Sequence, residues 1–146
     1  MLPETGPFLK AALVCGDVIE AKDGVLSLIR VIDRLIVTAA GPEAPTEMPP
    51  VPQRLKIVLM FVSGRARGTH PVELRIEKPD GNIESGWMGS VFLEGEDRGA
   101  NVIIDIQTEF TSEGLYWFQV YFEAEQLTKI PFRLIYQRVG PATALP

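Results

Sequence analysis

Thirteen glycines and twelve prolines are spread along the 146 residues rather than gathered in one tract. Proline removes a backbone donor and clashes with the preceding helical turn, and glycine loses the most conformational freedom on ordering. Breakers spread in this way cut the chain into short segments that suit strands and are hostile to long helices. With 46% hydrophobic and 23% charged residues, the segments between them have the balance of a globular protein. The length suits one core, so a single domain is expected over residues 1–139, followed by a loose tail over 140–146.

The first segments, Phe8 to Ala21 and Val25 to Thr38, flank Asp23-Gly24, a pair that tolerates positive φ and marks a hairpin. A two-residue loop pairs Lys22 with Val25, Ile19 with Leu28, and Asp17 with Arg30 as opposite charges. Residues 28–36 read two ways. Leu28, Val31, Ile32 and Leu35 also fall at helical spacing, whereas β-branched Val25, Ile29, Val31, Ile32, Ile36 and Val37 favour strand. Prolines at 42, 45, 49, 50 and 52 make Gly41 to Pro52 a loop that crosses between sheets or covers an edge.

Arg54 to Ser63 is apolar on both faces, as a covered central strand is, and Gly64 to Gly68 reads as the turn that ends it. Val72, Leu74 and Ile76 then alternate with Glu73, Arg75 and Glu77 before the turn Lys78-Pro79-Asp80-Gly81. Asn82 to Gly95, interrupted by Gly86 and Gly89, reads as an irregular or bulged strand near an edge. Val102 to Phe110 and Leu115 to Ala124 alternate, and Ile130 to Tyr136 completes the last hairpin. The sum is an all-β sandwich of about eight mainly antiparallel strands.

Ser112-Glu113-Gly114-Leu115-Tyr116-Trp117-Phe118 resembles the tyrosine-corner segment of immunoglobulin-like domains, with Phe118 where antibody domains carry their second cysteine. The resemblance implies an immunoglobulin-like sandwich and a Tyr116 hydroxyl bonded back to the turn. The chain is also similar to a poorly characterised group of small bacterial proteins through Ala12-Leu13-Val14-Cys15, Asp23-Gly24, Gly114-Leu115-Tyr116 and Ile130-Pro131-Phe132. That likeness implies a bacterial source and brings no activity with it.

The formal net charge of −5 argues against a nucleic-acid partner. It is unevenly laid out. Arg54 to Arg75 holds Arg54, Lys56, Arg65, Arg67 and Arg75 against Glu73, five minus one or +4; Glu77 to Glu113 holds nine acids against Lys78 and Arg98, or −7. Two solvated faces or complementary self-association are the readings. The lone Cys15 sits in an apolar run and is expected as a buried, inert thiol in a reducing compartment. The start has no basic region or long apolar core of a signal, and no stretch approaches a membrane span, so a cytoplasmic location is expected.

Chemistry-bearing sets are sparse. One histidine and one cysteine do not make a zinc site or a legible triad, and no cofactor is expected. An enzyme remains only if His70 meets carboxylates in the fold. Arg65 and Arg67 between Gly64 and Gly68 are a candidate anion grip, and Asp80, Glu94, Glu96 and Asp97 are candidate calcium ligands on loops. That set carries the reading as a small-ligand or calcium-dependent binder of glycans or lipid head groups. The leading expectation is a non-catalytic protein-interaction or scaffold module acting through an aromatic sheet face or edge strands, with a protein partner or itself. Period two turns Trp117 and Tyr121 away from Tyr116, Phe118, Val120 and Phe122, and their expected companions are Arg133 and Gln137 on the neighbouring last strand.

Overall fold

The computed structural model describes residues 6–140, so the tail expected over 140–146 lies, but for Gly140, outside the described residues. Among the described residues seven strands follow one another: β1 (Phe8–Glu20), β2 (Leu26–Ile32), β3 (Arg34–Ala40), β4 (Val51–Glu77), β5 (Ile83–Phe110), β6 (Gly114–Phe122) and β7 (Glu125–Val139). At 27 and 28 residues, β4 and β5 are several times the ordinary strand length. They form one hairpin that bends midway. The first arm of β4 pairs with β1 and the second with β6. Sheet I is therefore β2-β1-β4(51–62)-β5(99–110), and sheet II is β5(83–94)-β4(67–77)-β6-β7-β3. All pairings are antiparallel except that of β3 with β7.

The two sheets close on an aromatic-rich core. Leu55, Ile57, Leu59, Phe61, Ile104 and Phe110 come from sheet I, and Leu74, Phe118, Val120, Phe132 and Leu134 from sheet II, all buried. Phe61 lies 6.2 Å from Phe122 and Phe110 lies 6.0 Å from Phe132, each pair joining the layers. The Tyr116 hydroxyl donates to the Ser112 carbonyl, and its ring meets Phe110 edge-on at 5.0 Å. The immunoglobulin-like sandwich and its tyrosine corner are thus as expected.

Two local expectations change, and the double reading of residues 28–36 is decided for strand. Gly64 to Gly68 is not a turn: β4 runs through it while its pairing with β5 shifts register, and the chain passes from sheet I to sheet II. β5 makes the matching passage at Gly95, with φ 100°, and Glu96. The opening hairpin is real but has a three-residue loop. Ala21 N–H bonds Val25 O, Gly24 N–H bonds Ala21 O, and Gly24 takes φ 84°. Asp17 therefore faces Ile29, not Arg30, because the shift of one residue changes every cross-strand pair. Residues 28–36 are strand on both sides of a bend at Asp33. Leu28 and Ile32 turn inward on sheet I and Leu35 and Val37 on sheet II, so the helical spacing is a by-product of a change of sheet.

The charge blocks also resolve within the chain. They are the two arms of the β4–β5 hairpin, so Lys56 meets Asp105, Arg67 meets Glu96 and Lys78 meets Glu84 across it. A basic stretch, a turn and an acidic stretch were the visible signal for that pairing.

Candidate interaction face

The outer face of sheet II carries the aromatic residues that alternation turns away from the core. On β6, Trp117, Gln119 and Tyr121 stand opposite Glu77, Arg75 and Glu73 of β4, and on the other side opposite Pro131, Lys129 and Gln126 of β7. Pro131 fits there because β3 begins only at Arg34, opposite Arg133, so no strand on that side needs the missing donor.

Both rings are half-buried under cations. The Arg75 guanidinium carbon lies 3.9 Å from the Tyr121 ring centroid, and the Lys129 ammonium 4.3 Å from the Trp117 ring. Arg75 donates to Glu73 at 3.1 Å, and this bond holds its pKa above the usual arginine value. Gln119, one of two buried polar side chains among the described residues, donates to Glu77 at 2.9 Å and accepts from the Tyr121 hydroxyl at 3.5 Å. A mesh of this kind keeps large apolar rings at a surface while satisfying the polar groups between them.

Arg133 lies beside this mesh, opposite Leu115. Gln137 shares the face but pairs with Thr38 beyond the end of β6, roughly 20 Å along β7 from Pro131 at ordinary strand rise. The companions that the structure brings to the rings are Arg75 and Lys129. Arg75 sits on a strand far away in sequence, and only the β4–β6 register reveals it. The same face continues onto β5, where Met88 and Phe92 are 73% and 61% exposed.

The other candidate sets are dispersed. Asp80 closes the β4–β5 turn by accepting from Asn82 N–H at 2.9 Å, while Glu94, Glu96 and Asp97 lie at the far end of that arm. Glu94 is paired with Arg98 and Glu96 with Arg67. Among the described residues no three histidine, cysteine or acidic side chains form a metal-holding group. Arg67 lies over Gly95 and donates to the Glu94 carbonyl at 2.7 Å, so it braces the bend of β5, while Arg65 is exposed beside it. The two do not form a fork.

His70 does meet a carboxylate. Its Nδ1 lies 2.6 Å from Glu123 Oε2, its Nε2 2.7 Å from the Arg67 carbonyl, and its ring 5.0 Å from Phe122. The Glu123 hydrogen bond, helped by the Arg67 carbonyl, raises its pKa. Both nitrogens face acceptors, so the ring ties the start of the second arm of β4 to the β6–β7 turn. Cys15 is fully buried, and burial raises its thiol pKa.

The model of DUF6941, a family of unknown function, matches residues 10–135. This chain belongs to the DUF6941 family. No curated protein matches it. The chain is similar at low identity to several solved structures. An immunoglobulin-like protein of Pseudomonas aeruginosa, PA1606, is 13% identical with TM-score 0.42, over 90% of this chain and 98% of that one. The CARDB domain of the PF1109 protein from Pyrococcus furiosus, in complex with di-metal ions, is 12% identical with TM-score 0.41, over 88% and 90%. A β-glucosidase from Listeria innocua is 9% identical with TM-score 0.45, and the match covers 70% of this chain and 15% of the enzyme. Among the described residues of this DUF6941 protein, no helix is long and apolar enough to cross a membrane.

Proposed function

We propose that this DUF6941 protein is a non-catalytic interaction module that docks a protein partner on the outer face of sheet II. The observation that carries the reading is the pair of half-buried rings, Trp117 and Tyr121, each beneath a cation and set in a satisfied polar mesh. Tryptophan, tyrosine and arginine are the residues in which binding energy concentrates at protein interfaces. Exposed Met88 and Phe92 extend the apolar area on the same side. The dispersed acids give no support to a calcium-dependent ligand binder, and the fully engaged His70 gives none to an enzyme. The buried thiol and the sequence resemblance support action in a bacterial cytoplasm.

The test is the double variant Trp117→Ala with Tyr121→Ala. It should keep its thermal transition and lose partners that the wild type retains in cross-linked pull-downs. Unfolding of the variant makes the rings part of the core, and a folded variant with an unchanged partner set removes the face from the function.

A further inference from the structure

We propose that the β5 edge of sheet II pairs with a second copy of this chain, forming a two-fold dimer centred on Ser90. The proposal rests on the interaction-module reading and names a partner for the edge that borders the aromatic face.

Among the described residues β5 pairs with β4 alone, so its other side is an open edge. Which backbone groups point outward follows from Pro71. Its carbonyl accepts from Glu123 N–H at 3.2 Å, on the β6 side, and it has no N–H. Directly opposed residues in an antiparallel pair exchange both bonds or neither. Pro71 and Ser90 are opposed and exchange neither, so the N–H and C=O of Ser90 face away from β4. By alternation those of Met88 and Phe92 do too.

These positions are self-complementary. An antiparallel copy about Ser90 sets Ser90 against Ser90 and Met88 against Phe92 in both directions, so every outward N–H and C=O of the three finds a partner. The side chains agree. Met88 and Phe92 share the outer face at 73% and 61% exposure, and each thioether would meet the other copy's ring. The inner side of the edge is already filled, since the Trp87 ring folds back over Gly89, where a Cβ would fall 2.3 Å from it.

Charge favours a like partner. Ser85 to Leu93 carries no charged residue and no proline, the usual protections of an exposed edge. The acids that bound it are neutralised at home, Glu84 by Lys78 at 3.3 Å and Glu94 by Arg98 at 3.4 Å. A basic peptide finds no acid to grip between Ser85 and Leu93, and over that stretch a second copy meets no like charge despite the net charge of −5. The register stops where Gly95 bends the strand away. Pairing over so short a stretch stands at the low end of specific interfaces, so a weak, concentration-dependent dimer is expected.

Sedimentation velocity over a concentration series tests this. The wild type should shift from monomer to dimer. Ser90→Pro removes an outward N–H without breaking a bond to β4, and Phe92→Lys charges the edge; both should fold and stay monomeric. Ser90→Cys should form a covalent dimer on mild oxidation, because opposed hydrogen-bonded residues stand about 5.5 Å apart at Cα, within disulfide reach. A wild type that is monomeric at every concentration overturns the proposal. So does a dimer that persists in the folded Phe92→Lys variant while Ser90→Cys fails to cross-link. If Trp117→Ala with Tyr121→Ala abolishes the dimer and Phe92→Lys does not, self-association belongs to the aromatic face: the module reading stands and the edge proposal falls. If Phe92→Lys abolishes the dimer and the aromatic double variant keeps every hetero-partner, the edge proposal stands and the aromatic-face reading falls.

Discussion

Two tight turns of this sandwich reach the left-handed region by opposite means. The opening hairpin uses Gly24 at φ 84°, with nothing within 4 Å of where a Cβ would stand and the Asp23 carboxylate accepting from Val25 N–H at 3.1 Å. The β6–β7 hairpin puts Glu123 and Ala124 at φ 54° and 74°, both central positions positive and neither a glycine. A side chain there costs roughly 1–2 kcal/mol per residue. The first turn is local and stands on its own residue types. The second is held from outside, by His70 on the Glu123 carboxylate and by Pro71 O on Glu123 N–H. A backbone conformation that the local residues disfavour persists where packing over-determines it.

The largest expected effect comes from taking away that outside hold. His70→Ala should cost about 2 kcal/mol in denaturant unfolding, since hydrogen bonds to a charged group are lost, and hydrogen exchange in the β6–β7 turn should quicken. The effect should depend on pH. The folded pKa of His70 is raised above the unfolded value of about 6.5, so its contribution is full below that value and is lost as pH rises through the folded pKa. Deprotonation leaves one N–H for two acceptors. A penalty that is small, or equal at pH 5 and at pH 9, breaks the contrast between the turns.

Gly24→Val comes next, at about 1–2 kcal/mol, because a β-branched residue is placed at φ 84° with no contact to offset it. An unchanged midpoint would show that the opening turn tolerates a side chain as the closing turn does. The smallest effect has the opposite sign. Ala124→Gly should stabilise by about 0.5–1 kcal/mol, because it relieves a positive φ and leaves the Glu123–His70 contact in place. A loss of stability there would mean that Ala124 packs more than it strains.

The same division between local and distant causes runs through the fold. The tyrosine corner was legible because Tyr116 and Ser112 are four residues apart and one hydrogen bond defines it. The inner faces of β4, β6 and β7 were legible through alternation. The register of the opening hairpin was missed by one residue, since Asp23-Gly24 serves a two-residue and a three-residue loop alike and the choice lies in the closing bonds. The bends of β4 and β5 were missed because glycines that end a strand and glycines that carry it into another sheet look the same.

At the candidate face, Trp117 and Tyr121 were readable from period two alone, while Arg75 and Lys129 over their rings depend on the lateral order β4-β6-β7. The sequence by itself determined the all-β class, which side chains turn inward along the alternating stretches, the glycine of the first turn and the burial of Cys15. All of these rest on backbone preferences and hydrophobic spacing within a few residues. Only the tertiary structure decided which strands lie side by side, that two ion pairs join the basic and acidic blocks, that His70 secures a turn 53 residues away, and that Ser90 faces an open edge. Those outcomes depend on pairings between distant segments, and such pairings are chosen by the packing of the whole core rather than by any residue's neighbours in sequence.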